Sequence, residues 1–171
     1  MKKLFLLCSI LLFSGSLFGQ SADTATQETT FIMVRHAEKM DDGTRDPSLN
    51  KIGVERAERL AKLLQEEFEV SAVYSTPYKR TQETAKPLAD MIGSEIQTYD
   101  PRDPQGFIEL LMEAKKGKSV LIVGHSNTTP ALVNLVLGED KYEQLDESAY
   151  GNIFIVSIDE KGEATVEKRV Y

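Results

Sequence analysis

Cysteine is nearly absent from this chain: Cys8 is the only one, and it lies in the apolar run at the start. Once that segment is removed no thiol is left, which excludes disulfides, thiolate metal sites and a cysteine nucleophile from the remainder. Histidine is scarce as well, with only His36 and His125, so any imidazole chemistry falls to these two. No Pro/Gly-rich linker and no internal repeat divides the chain, which favours one domain with one core over an array. A basic stripe is also missing: 20 Lys and Arg stand against 27 Asp and Glu, for a net charge of -7. Nucleic acid is therefore an unfavourable partner.

What is present begins with the pattern of an export signal. Lys2 and Lys3 precede an apolar run from Leu4 to Phe18, and small residues suited to cleavage lie among Ser16, Gly19, Ser21 and Ala22. The run is too short and too weakly flanked for a convincing membrane span. The expectation is a signal peptide over 1–20, cleaved between 19 and 22, with no stable membrane insertion afterwards and a periplasmic or secreted location. Lipidation at Cys8 is the competing reading, but Leu6 and Leu7 stand before it where small residues are needed. Removal of the signal leaves about 150 residues. Residues 21–29, SADTATQET, read as a flexible lead-in, and 30–171 as the folded domain.

Phe31 to Val34 is a short apolar run bounded by polar residues, as in a buried strand. Ala57, Leu60, Ala61, Leu64 and Phe68 recur at helical spacing. Val70 to Tyr74 is a second strand, and Thr76 followed by Pro77 reads as a capped start for a helix through Ile92 that Gly93 ends. Glu95 to Tyr99 is a weaker strand; Phe107, Leu110, Leu111 and Ala114 mark a third helix. Ser119 to Val123 is the clearest buried strand, followed by an apolar helix over Ala131 to Leu137. Ile153 to Ile158 and Ala164 to Val170 flank a turn and predict a terminal hairpin. Alternating strands and helices predict an α/β three-layer sandwich with a mostly parallel central sheet and an antiparallel edge from the hairpin.

His36 and His125 each stand just past a buried strand. In open α/β sheets the carboxyl ends of the strands form the edge where ligands bind. Arg35 adjoins the first, and Arg80 falls in the first turn after the second strand. Guanidinium forks bind phosphate oxygens in pairs, and helix N-termini add backbone donors, so two arginines and two histidines at one edge compose a phosphoryl pocket. Each residue taken alone also fits an exposed strand exit, a helix cap or a solvated charge; their joint placement favours the pocket.

The local sequences carry a resemblance. FIMVRHAEK at 31–39 resembles the first signature of the histidine phosphatase superfamily, which also contains the cofactor-dependent phosphoglycerate mutases. VYSTPYKRTQETA at 73–85 and LIVGHSN at 121–127 resemble its second and third signatures. PSLNKIGVERAERLAKLL at 47–64 is similar to its first helix, and GNIFIV to its late strand. The resemblance covers essentially all of residues 30–158 and implies a phosphoglycerate mutase-like fold of branch 1. It implies further that His36 is the nucleophile of a phosphohistidine mechanism and that Arg35, Arg80 and His125 hold the phosphoryl oxygens. No metal and no organic cofactor is implied.

The sequence departs from the family where a Leu-x-Glu motif commonly supplies the proton donor; here the stretch reads YDPRDPQGF. Asp100 and Asp103 are the candidates in its place, with Glu38 a further one. Residues 81–124 leave room for one helix, one strand and another helix, so no cap is expected and the pocket should be shallow, as in the small phosphohistidine phosphatases. The leading expectation is a phosphomonoesterase of the histidine acid phosphatase type, acting on a small phosphorylated substrate or a phosphoprotein. The alternative is a phosphate- or phosphoprotein-binding module on the same fold. The oligomeric state is not legible.

Overall fold

The computed structural model describes residues 28–171. The expected signal peptide and the lead-in up to residue 27 lie outside the described residues. In chain order the elements are β1 (Thr29–Arg35), α1 (Lys51–Glu67), β2 (Val70–Ser75), α2 (Lys79–Ile92), β3 (Ile96–Thr98), α3 (Pro104–Ala114), β4 (Ser119–Gly124), α4 (Thr128–Leu137), β5 (Asn152–Ile158) and β6 (Ala164–Val170). Thr29, grouped with the lead-in on composition, opens β1: it pairs with Ile158, and its hydroxyl accepts from the Gly117 N–H at 2.8 Å.

The strands form one sheet in the order β3-β2-β4-β1-β5-β6. β1 to β4 run parallel, while β5 lies antiparallel to β1 and β6 antiparallel to β5. The architecture is the expected three-layer α/β sandwich of phosphoglycerate mutase type. Alternation along each strand divides the core. Ile32, Val34, Leu121 and Val123 pack with Leu60, Ala61 and Leu64 of α1 and Ala85, Leu88 and Ala89 of α2. Phe31, Met33, Val120 and Ile122 pack with Phe107, Ile108 and Leu111 of α3 and Leu132 and Val133 of α4. Full burial of each large side chain contributes about 1.5–3 kcal/mol, so both helix layers are held by contacts the strands alone could not supply.

Two helix starts bear on the site. Asn50 caps α1 by accepting from the Gly53 N–H at 2.9 Å. Gly53 packs so closely on the backbone of Glu38 that any Cβ there would collide with the Glu38 carbonyl, which ties α1 to the stretch after His36. The second start differs from expectation. α2 begins at Lys79, not behind a Thr76 cap, and its N-cap Tyr78 makes no side-chain capping bond. Thr76 is fully buried and spends its hydroxyl on Thr81 and His125 instead.

Candidate active site

Pairing of the strands explains how distant residues meet. Arg35 of β1 lies directly across from Gly124 of β4, so His36 and His125 emerge side by side at the carboxyl edge. The His36 N–H donates to the Gly124 carbonyl at 2.9 Å, and the two imidazole centroids are 5.5 Å apart at 69°. β2 delivers Thr76 to the same edge, and the first turn of α2 delivers Arg80. Because β5 is antiparallel to β1, with Ile153 opposite Val34, the segment entering β5 also reaches this edge.

His36 is 4 % exposed. Its Nδ1 lies 2.7 Å from the Ala37 carbonyl oxygen, an atom that can only accept. Nδ1 therefore carries the proton and Nε2 keeps its lone pair. Burial lowers the imidazole pKa to about 3, against the opposing pull of the Ala37 carbonyl, and Arg35, His125 and Arg80 lower it further. The ring is thus neutral across the physiological range and presents one bare nitrogen. Desolvation contributes more to this than the neighbouring arginines do.

A chain of hydroxyls orients His125. Thr81 has one hydroxyl proton, which goes to the Thr76 carbonyl at 2.8 Å or the Tyr78 carbonyl at 2.9 Å. Thr81 Oγ1 then accepts from Thr76 Oγ1 at 3.0 Å, so Thr76 must accept from His125 Nε2 at 2.9 Å. His125 Nδ1 is left unprotonated, 3.4 Å from Arg80 Nη2. Burial, then Arg80 and Arg35, bring this imidazole down to about 4.

The arginines carry the positive charge of the site. Arg35 is 3 % exposed; its Nη1 donates to the carbonyls of Asp146 and Glu147 at 2.9 and 3.0 Å, and its Nη2 to Glu147 Oε2 at 2.8 Å. Its guanidinium lies over the Tyr150 ring, 4.3 Å from the centroid. Arg80 lies over Tyr78 at 4.8 Å, and its Nη1 is 3.6 Å from Asp46 Oδ1, beyond hydrogen-bond reach. Arg35 Nε, Arg80 Nε and Arg80 Nη1 are buried without a hydrogen-bond partner among the described residues. Such donors suit the oxygens of a tetrahedral anion.

The candidate acids are less well placed. Asp100 is held by Arg102 through three side-chain hydrogen bonds of 2.7–3.2 Å; that partner drives its carboxyl down to about 2. Asp103 caps α3 by accepting from the Gly106 N–H at 3.1 Å. Glu38 receives a guanidinium fork from Arg56 at 2.6–3.0 Å; burial pushes its carboxyl up, and Arg56 outweighs this to leave it below the usual range. None of the three hydrogen-bonds to either imidazole, whereas His36, His125, Arg35 and Arg80 are brought together.

Beside His125 opens a hollow of about 350 Å³ lined by Tyr78, Arg80, Pro101, Arg102, His125, Asn127 and Thr128. A second of about 420 Å³ shares Tyr78, Pro101 and Arg102 with it. Among the described residues no cap element intervenes between α2 and β4 beyond β3 and α3. Several contributors escaped sequence reasoning. Thr76 carries the pattern of a helix cap. Thr84, whose hydroxyl accepts from the Ala37 N–H at 2.9 Å and donates to the Arg80 carbonyl at 2.7 Å, was only part of a signature. Glu147 and Tyr150 sit in an irregular polar stretch with no periodicity to flag them. The available signal was topological: a strand returning antiparallel beside β1 must enter at the site's edge.

The sequence model described as histidine phosphatase superfamily (branch 1) matches residues 31–101, a span that includes His36 and Arg80 but not His125. No curated protein sequence matches the chain. Among solved structures, the protein histidine phosphatase SixA complexed with tungstate is similar at 18% identity and TM-score 0.66, over 84% of this chain and 96% of that one. Phosphoserine phosphatase from Entamoeba histolytica with 3-phosphoglyceric acid aligns at 15% identity and TM-score 0.65, over 84% and 98%. The mycobacterial glucosyl-3-phosphoglycerate phosphatase gives 15% and 0.66, over 84% and 98%. At these identities the likeness concerns the fold.

Proposed function

Because this chain belongs to the histidine phosphatase superfamily, branch 1, we propose that it hydrolyses phosphomonoesters through a phosphohistidine formed on His36. The observation that carries the proposal is the bare Nε2 of a neutral, buried imidazole, oriented by the Ala37 carbonyl and flanked by two guanidiniums. In the first step the Nε2 lone pair attacks phosphorus, the P–O bond to the leaving group breaks, and that oxygen departs with the bonding electrons. Water then attacks the phosphohistidine, the P–N bond breaks, and inorganic phosphate and neutral His36 are released. Arg35 Nε and the unpartnered donors of Arg80 hold the equatorial oxygens, whose charge they stabilise as the phosphoryl group transfers. His125, fixed through Thr76, supports Arg80 with its Nδ1 and lines the pocket.

The leaving group lies in the hollow past Tyr78 and Pro101. With Asp100, Asp103 and Glu38 all engaged elsewhere, the enzyme favours leaving groups that depart with little protonation, such as aryl and acyl phosphates or phosphohistidine. The structural kinship with a protein histidine phosphatase supports that preference. The segment Lys2 to Phe18 supports action outside the cytoplasm, on a substrate met after export.

The test is hydrolysis of p-nitrophenyl phosphate by the chain lacking residues 1–20, beside His36→Ala, with acid-quenched samples assayed for acid-labile phosphohistidine. Turnover that vanishes with His36 and leaves labelled histidine in the wild type is the expected result. Anion binding without turnover on any aryl or acyl phosphate would instead identify a phosphate-binding module.

A further inference from the structure

Of the carboxylates beside the site's arginines that the proposed reaction does not use, Glu147 is the one hydrogen-bonded to a guanidinium, while Asp46 stays 3.6 Å from Arg80. Glu147, in the segment entering β5, accepts from Arg35 Nη2 at 2.8 Å with one oxygen and from Ser126 Oγ at 2.7 Å with the other. Its side chain is 69 % exposed, so the carboxylate stands at the mouth of the pocket. The hydrogen bond from Ser126 and, more weakly, the charge of Arg35 keep it below the usual carboxylate range despite some burial, and its charge acts on both His36 and His125.

Arg35 does not need this carboxylate to keep its orientation. Its Nη1 is already fixed by two backbone carbonyls, and its face rests on Tyr150. What Glu147 adds is a fixed negative charge on the cation that is to receive a phosphoryl group. A charge so placed repels a bound anion in proportion to that anion's own charge.

We infer that Glu147 is a specificity-determining residue: its carboxylate, shared between Arg35 and Ser126, sets how much negative charge the phosphate pocket accepts and disfavours dianions relative to monoanions. This rests on the reading of Arg35 and the two histidines as a phosphate pocket. The consequence for substrates is a preference for phosphoryl groups whose neighbouring atoms are neutral or cationic over those bearing a second anionic group beside the phosphate.

The experiment is calorimetric binding at pH 7 of tungstate and perrhenate, tetrahedral oxyanions carrying two charges and one. It compares wild type, Glu147→Gln and Glu147→Ala with Glu160→Gln, which removes an equal charge in the distant β5–β6 turn. Circular dichroism confirms the fold of each variant. Both Glu147 variants are expected to bind tungstate about tenfold and perrhenate about threefold more tightly, and Glu160→Gln to bind neither more tightly. Weaker binding in the Glu147 variants would make the carboxylate a support for Arg35 and overturn the inference, as would unchanged affinities or equal gains for both anions. Failure of every form, wild type included, to bind tungstate would overturn the phosphate-pocket reading itself.

Discussion

Acidification gives the most direct check on the physical state of the two imidazoles. Burial and the neighbouring guanidiniums hold His36 at about 3 and His125 at about 4 in the folded protein, whereas an unfolded chain protonates both near 6.5. A base whose folded pKa is depressed contributes stability that is present above its unfolded value and is lost as pH falls. Between pH 6.5 and about 4 the unfolded chain takes up two protons that the folded chain does not. Each contributes a slope of up to about 1.4 kcal/mol per pH unit, so by pH 5 each has removed roughly 2 kcal/mol. A total of about 4 kcal/mol is a large share of the 5–15 kcal/mol that small domains possess. The carboxylates with lowered pKa begin to contribute only below their own unfolded values, near 4, which leaves the interval from 6.5 to 5 to the histidines. The assay is urea unfolding of the chain lacking residues 1–20 at pH 7, 6 and 5, paired with imidazole NMR, where the two histidines give two resolvable titrations. His125→Asn should halve the slope. Stability that stays flat from pH 7 to 5, or an imidazole signal titrating near 6.5 in the folded protein, would refute the reasoning.

Thr76→Val keeps the side chain's shape but strands Thr81 Oγ1 and His125 Nε2. It should cost about 1–3 kcal/mol in a thermal or urea melt and, by loosening His125 beneath Arg80, lower kcat/KM by about tenfold. Asp100→Asn should leave hydrolysis of an alkyl phosphate, whose leaving oxygen does need a proton, within about twofold of wild type, because a carboxyl held ionised by Arg102 donates no proton; a loss beyond about tenfold would identify Asp100 as the acid after all. Gly53→Ala drives a Cβ into the Glu38 carbonyl. It should cost about 1–3 kcal/mol and reduce turnover by shifting the stretch that follows His36, whereas unaltered kinetics would show that stretch to be independent of α1.

Much of the framework was legible because it depends on local pattern. The apolar runs at Phe31 to Val34 and Ser119 to Val123 had no reading but buried strands, and both became central, with every residue from Phe31 to Val34 fully buried. β6 spans Ala164–Val170 as the hairpin pattern predicts. The shorter strands and the helix starts drifted by a few residues, since a hydroxyl such as that of Thr76 can cap locally or reach across the fold, and packing decides which.

His36, His125, Arg35 and Arg80 were nameable from residue type and from their positions just past strands and in a first turn. Those features are written in sequence because handedness and strand direction send the carboxyl ends of parallel strands to one edge. Tertiary structure alone decided the rest. The tautomer of His125 follows from a hydroxyl chain linking β2, α2 and β4. The depressed imidazole pKa values follow mainly from desolvation, which exists only once the layers close. Glu147 and Tyr150 reach Arg35 because β5 returns antiparallel beside β1, a pairing more than a hundred residues apart in sequence. Local physics could place the reacting groups at the edge, but their protonation, orientation and immediate counter-charge belong to contacts between segments that no local pattern encodes.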